Sequence, residues 1–173
     1  KDLPNNTNRV TINGRFAVGL PLHPSLISIK KKHFERTIRM AEKLDDDQTH
    51  ILHNQYGQLL LTQRGPVAAA KHYALGVQKK YEYSQGHNNL ASSLERRGYK
   101  KVAAKHYALS LQYDYKSPVA HNNYALLLAS RGDAKLAAKH FAQSIRIAPN
   151  SFVHHSNYSC LLRDRGDLDK AAK

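Results

Sequence analysis

Ala69-Ala70-Lys71-His72-Tyr73-Ala74-Leu75 recurs 34 residues later as Ala103-Ala104-Lys105-His106-Tyr107-Ala108-Leu109, and a second step of that length gives Ala137-Ala138-Lys139-His140-Phe141-Ala142. The other half of the unit keeps the same step: His87-Asn88-Asn89, then His121-Asn122-Asn123, then His155-Ser156-Asn157. A fixed period in this range marks stacked supersecondary units, each burying its apolar face on the next.

Each unit reads as two helices. Residues 121 to 131 carry apolar Tyr124, Leu127 and Leu128 and stop at Gly132, a natural C-terminal breaker. Residues 136 to 147 resume with small Ala137, bulky Phe141 and Ile145 on successive turns, and Pro149 closes the unit because it cannot continue a helix. Neither helix is apolar enough all round to stand alone, so each must bury its stripe on its partner and on the next unit.

A 34-residue helix-turn-helix with a small residue opening helix B, an aromatic one turn later and a terminal proline resembles the tetratricopeptide repeat (TPR). Gly132, Ala137, Phe141 and Pro149 carry the likeness in the third unit, and Gly98, Ala103 and Tyr107 in the second, where Tyr115 replaces the proline. The first unit has Tyr56-Gly57, Ala69 and Tyr73, with its turn glycine Gly65 displaced by one residue; the fourth has Tyr158, Gly166 and Ala171. The resemblance implies an all-α fold, a right-handed α-α superhelix, with repeats at 50–83, 84–117 and 118–151 and a truncated one at 152–173.

Upstream, Lys32-His33-Phe34 with Ile38-Arg39 and Ala41 matches Lys139-His140-Phe141 with Ile145-Arg146 and Ala148, so 25–49 reads as the second helix of a degenerate repeat. Asp45-Asp46-Asp47 is suited to start the helix that follows. Residues 1–24 hold Pro4, Pro21 and Pro24 and no helical period. Asn13-Gly14 is a hairpin turn signal, but an isolated hairpin is marginal, and an extended arm lying on a partner is the expectation. Opening at Lys1 and stopping in mid-pattern at Lys173, the chain reads as part of something longer.

With 173 residues and 41% apolar content the chain can bury a real core. No stretch approaches the roughly 18 consecutive apolar residues of a membrane span. The single cysteine, Cys160, excludes an internal disulfide framework and fits a reducing, intracellular compartment. The net charge of +14 favours acidic partners, whether protein, nucleic acid or anionic lipid. Between Gln48 and Gly132, eleven Lys and Arg face only Glu82, Glu95 and Asp114.

Three side-chain ladders follow the period. The TPR resemblance places the first helix of each repeat along a groove, so the amide pairs Asn54-Gln55, Asn88-Asn89 and Asn122-Asn123, with Ser156-Asn157, would face it. They resemble the asparagine ladder of the repeats in O-linked N-acetylglucosamine transferase and the Asn-rich grooves of kinesin light chains and peroxisomal import receptors. Asparagine is a poor helix former, and an amide supplies the donor and acceptor that a peptide backbone presents in turn. By that likeness Asn89, Asn123 and Asn157 grip a peptide main chain, with Gln55 a longer variant. The alternative is that these amides bond between adjacent helices and fix the stacking. The TPR carboxylate clamp is disfavoured, because the corresponding positions hold Asn54, Val119 and Asn123.

The basic ladders are Lys71, Lys105, Lys139 and Lys173 on helix B, and Arg64, Arg97, Arg131 and Arg165 directly before the turn. Cations suit helix C-termini and solubility; they also suit an acidic partner or an RNA backbone. Eleven histidines raise the question of metal. Equivalent residues on neighbouring packed helices lie roughly 8–10 Å apart, too far to share an ion, and no cofactor is called for. Protonation of the histidines would add positive charge below about pH 6.5. No phosphate-cradling loop, nucleophile elbow or activated cysteine is present, so no enzymatic activity is expected. The sequence therefore points to a protein-interaction scaffold whose groove takes an extended, acidic segment or a partner subunit within a larger assembly. The alternative is a basic RNA-associated solenoid in a ribonucleoprotein.

Overall fold

The computed structural model describes residues 10–12, 15–17, 23–63 and 65–164. Eight helices follow one another among the described residues: α1 (Pro24–Lys43), α2 (Thr49–Thr62), α3 (Pro66–Lys79), α4 (Ser84–Arg96), α5 (Lys100–Tyr113), α6 (Pro118–Ser130), α7 (Ala134–Ile147) and α8 (Phe152–Asp164). The pairs α2–α3, α4–α5 and α6–α7 are the three repeats, and α8 is the first helix of a fourth. Gly166, Ala171 and Lys173 lie outside the described residues, as does Arg64. Ahead of the helices, β1 (Val10–Ile12) pairs antiparallel with β2 (Arg15–Ala17), Ile12 opposite Arg15. Six residues of the segment expected as an extended arm are therefore paired strands, while Asn13 and Gly14 lie outside the described residues.

The period is written in the core. Ala69, Ala103 and Ala137 are fully buried, and Tyr73, Tyr107 and Phe141, one turn further on, are only 1% exposed. A methyl group at each alanine lets the facing helix approach closely enough to cover the ring. The ring then meets the first helix of the next repeat: Tyr107 lies 6.0 Å from Tyr124 and Phe141 lies 5.9 Å from Tyr158, ring centre to ring centre. Truncating such a ring to alanine costs about 3–5 kcal/mol.

Helix α1 enters the stack in the same manner, with Phe34 stacked on Tyr56 at 5.5 Å and the Tyr56 hydroxyl donating to Glu35 Oε1 at 2.7 Å. The ring partners are 22 residues apart here against 17 in the later repeats, the surplus being taken up by a longer α1 and its connection to α2. Asp45-Asp46-Asp47 does not supply the N-cap of α2, which is Gln48. Asp45 instead ends α1 at φ 49°, and Asp46 Oδ1 accepts from the Gln48 N–H at 2.8 Å.

The turns after α4 and α6 are built alike. Gly98 and Gly132 stand at φ +85° and +86°. The Gly98 N–H donates to the Glu95 carbonyl (2.8 Å) and Tyr99 N–H to the Leu94 carbonyl (3.0 Å); Gly132 and Asp133 do the same to Ala129 and Leu128. This double closure satisfies the last carbonyls of the helix and needs a left-handed residue at its centre.

Polar ties run from helix to helix inside the stack. Buried Ser93 donates to the Pro66 carbonyl (3.1 Å) and buried Ser144 to the Pro118 carbonyl (2.8 Å). The histidines form a further set. His53, His87 and His121, at most 2% exposed, each place Nδ1 against Nδ1 of the histidine nineteen residues on: His72 at 3.1 Å, His106 at 2.9 Å and His140 at 2.9 Å. His87 Nε2 lies 2.7 Å from the Tyr81 carbonyl and His121 Nε2 lies 2.9 Å from the Tyr115 carbonyl. A carbonyl only accepts, so Nε2 carries the proton in both, Nδ1 is a bare acceptor, and Nδ1 of His106 and His140 must donate. These two pairs are each a relay of two neutral imidazoles with opposite tautomers. In the first repeat Glu42 Oε1, 3.5 Å from His53 Nε2, stands where the carbonyl is in the others.

Burial lowers the pKa of all six paired histidines, that of His140 to about 4, where the neighbouring His121 adds to the effect. The expectation that the histidines charge below about pH 6.5 is thus corrected for these six: burial holds their pKa values below that ordinary value in the folded chain.

Two outcomes are expected. Gly132→Ala forces a side chain into the left-handed region at a cost of about 1–2 kcal/mol and lowers Tm by about 3–6 °C in a thermal melt, although nothing lies within 4 Å of the added methyl. The histidine relays make stability fall with acidification. The unfolded chain takes up protons at its ordinary pKa of about 6.5 while the folded chain resists, so the contribution of these pairs is complete above pH 6.5 and is lost as pH falls below it, that of His140 by about pH 4. Tm measured by circular dichroism should drop by at least about 5 °C from pH 7 to pH 5, and replacing His121 and His140 together by glutamine should flatten that slope.

Candidate functional site

Along the first helices of the repeats, the asparagine side chains join into one chain. Asn157 Nδ2 donates to Asn122 Oδ1 (2.9 Å), Asn122 Nδ2 to Asn123 Oδ1 (3.4 Å), and Asn123 Nδ2 to Asn88 Oδ1 (3.2 Å). Asn88 Nδ2 then donates to Asn89 Oδ1 (3.3 Å), and Asn89 Nδ2 to Asn54 Oδ1 (2.8 Å). Six amides on four helices are tied by five bonds that all run in one direction. The two members of a pair divide the work. Asn54, Asn88 and Asn122 are buried at 3, 8 and 5% exposure and accept from the next repeat, while Asn89, Asn123 and Asn157 are half-buried and donate to the previous one.

The chain forms because consecutive residues at the front of a helix point about 100° apart. One amide of a pair turns back into the seam between helices and the other reaches across it. Stacking is therefore what these side chains do in the free protein. Capacity is left over, since an amide has two donors and two acceptor positions and each bond uses one. Gln55 does not join them: it is exposed and makes no bond to the amide chain.

A cavity of about 610 Å³ opens onto this chain. Its walls come from α2, α4, α6 and α8 and include Asn88, Asn89, Asn122 and Asn123, with Gln58, Gln85 and Ser92 as further polar groups and Leu61, Tyr83 and Val119 as apolar ones. Asn54 and Asn157 do not line it. A second cavity of about 490 Å³ adjoins it between α4, α5 and α6, and Ser92, Arg96 and Asn123 border both.

The basic ladders are elsewhere. Lys71, Lys105 and Lys139 are exposed on α3, α5 and α7 and line neither cavity; Arg97 and Arg131 are exposed at the ends of α4 and α6, with the Arg97 guanidinium 4.9 Å above the Tyr99 ring. Arg64 and Arg165 lie outside the described residues. Among the described residues the lysines and arginines make one ion pair, Arg163 to Asp164 at 3.8 Å.

Reasoning from the repeat alone missed Arg96, Ser92 and Gln58. Arg96 is seven residues beyond Asn89, two helical turns on the same face of α4, so extending the amide face along its helix would have found it. The histidine pairs were missed because equivalent positions 34 apart were compared, whereas the partners are nineteen apart within one repeat. Among the described residues no three His, Cys, Asp or Glu side chains cluster as a metal would require, and no helix is long and apolar enough to cross a membrane.

No protein-family model and no curated protein matches the sequence. Solved structures do match. The crystal structure of MamA superposes with a TM-score of 0.69 at 16% identity, over 88% of this chain and 91% of that one. The first TPR of Spaghetti (RPAP3), bound to the HSP90 peptide SRMEEVD, gives 0.66 at 16% identity over 70% and 96% of the two chains. YrrB, a TPR protein with an unusual peptide-binding site, gives 0.66 at 14% over 80% and 69%. Identities this low speak for the backbone alone, and what they establish is that the chain has the tetratricopeptide-repeat fold.

Proposed function

We propose that the chain is a non-catalytic protein-interaction module that binds an extended peptide segment of a partner along the groove of its first helices. The observation that carries this reading is the 610 Å³ cavity walled by the first helices of four successive repeats and lined by Asn88, Asn89, Asn122 and Asn123. An extended main chain offers N–H and C=O groups in alternation, and the amides not consumed by stacking offer the complement at the spacing of the repeats. Two of the similar folds, the RPAP3 repeat and YrrB, are described with a bound peptide and a peptide-binding site. The net charge of +14 favours an acidic segment, and a place within a larger assembly in a reducing compartment fits the same chemistry.

A second reading has its own observation. Lys71, Lys105 and Lys139 form an exposed row on α3, α5 and α7 with no ion-pair partner among the described residues. Such a row suits a phosphate backbone, and RNA is the alternative partner.

Salt dependence and surface variants separate the two. A labelled degenerate peptide library should bind with only a shallow dependence on salt. Gln58→Trp, which fills the cavity from α2 without touching the amide chain, should abolish that binding while leaving Tm within about 2 °C. Asn123→Ala should weaken binding and also lower Tm by about 2–6 °C, because it strands buried Asn88 Oδ1. Poly-uridine binding that falls steeply with salt, survives Gln58→Trp and is lost when Lys71, Lys105 and Lys139 become glutamate would favour RNA.

A further inference from the structure

Where the two cavities meet, positive charge gathers without a partner. Arg96 makes no hydrogen bond or ion pair among the described residues, and it lies close enough to the Tyr73 and Tyr107 hydroxyls to act on them electrostatically. Among the described residues it is the one lysine or arginine bordering the larger cavity, and Lys100 joins it on the wall of the smaller. Lys100 Nζ donates to Ser130 Oγ at 3.2 Å, which leaves two of its N–H groups uncommitted. Lys100 also opens α5, whose N-terminus has no side-chain cap and no acidic residue in its first turn, so the positive end of that helix adds to the same wall.

The acids nearby are already engaged. Glu95 Oε2 accepts from the Tyr107 hydroxyl at 3.0 Å, and Asp114 Oδ1 accepts from the Lys116 N–H at 3.0 Å. The seat thus holds a guanidinium, an ammonium and a helix N-terminus, with the half-buried Asn123 amide and Ser92 between the cavities; the Glu95 carboxylate stands on the wall of the smaller cavity and that of Asp114 on the larger, each turned to its own hydrogen-bond donor.

Building on the peptide reading above, we infer that this junction is a seat for a phosphorylated serine or threonine side chain carried by the peptide in the groove. A carboxylate brings one charge and two oxygens, enough for a bidentate contact to Arg96 alone. A phosphomonoester brings about −1.5 to −2 at neutral pH and three acceptor oxygens, enough for Arg96 and Lys100 together. The larger cavity would hold the peptide main chain against the amides, and the smaller one shares Ser92, Arg96 and Asn123 with it. A side chain entering the smaller cavity from the groove at that point would meet Arg96 on the shared wall and Lys100 on the far one.

The test uses labelled nonapeptide libraries that are degenerate except at the centre, which is phosphoserine, glutamate or serine, with binding read by fluorescence anisotropy at fixed ionic strength. Phosphoserine is expected to bind at least tenfold more tightly than either alternative. That preference should disappear in the Arg96→Ala/Lys100→Ala variant and in Arg96→Gln, and persist in Lys101→Ala, an exposed lysine that borders neither cavity. Melting curves establish that the variants are folded. Equal binding of phosphoserine and serine peptides would overturn the phosphate seat and leave the peptide groove standing. Glutamate binding as tightly as phosphoserine would replace the phosphate seat by a carboxylate one. A phosphoserine preference that survives loss of both cations would place the contact on the outer lysine row and overturn the proposal. No binding by any library would overturn the seat and the peptide reading together.

Discussion

Everything in this molecule depends on a methyl group facing a ring. Ala69, Ala103 and Ala137 have no exposed surface, and the aromatic residue four places on is sealed behind them. The small residue sets how closely two helices approach, and the ring sets where the following helix must lie. Because the same pair returns every 34 residues, each repeat meets its neighbour in the same orientation. The amide chain and the histidine relays are consequences of that regularity, since bonds of about 3 Å cannot recur along a stack whose steps differ.

The period itself was plain in the sequence, as were the helix pairs, the turn glycines and the degenerate helix around Phe34. What stayed hidden depended on rotation about the helix axis. Asn88 and Asn89 are adjacent and chemically identical, yet one is a buried acceptor and the other a half-buried donor. Whether such residues stack or grip was undecidable from composition, and the structure shows the stacking bonds in place.

A search for repetition also finds only what repeats. The positions equivalent to Arg96 are Thr62, Ser130 and Asp164, so no ladder drew attention to it. The residue that most distinguishes the groove chemically is one of those the period does not predict. The reverse holds for the outer lysines, which are conspicuous in the sequence and sit on the side away from the cavities. Charge is divided accordingly: the groove floor is neutral and amide-lined, while most of the cation excess is exposed elsewhere.

The single direction of the amide chain gives the solenoid a sense, as a zip fastener has. At one end Asn54 accepts from Asn89 and, among the described residues, keeps its own N–H groups uncommitted; at the other, Asn157 donates to Asn122 and keeps its oxygen uncommitted among them. One terminus of the row is a surplus of hydrogen-bond donors and the other a surplus of acceptors. The row can be prolonged only by a unit that arrives the same way round, and the aligned amide dipoles give an extended strand lying on it two inequivalent orientations.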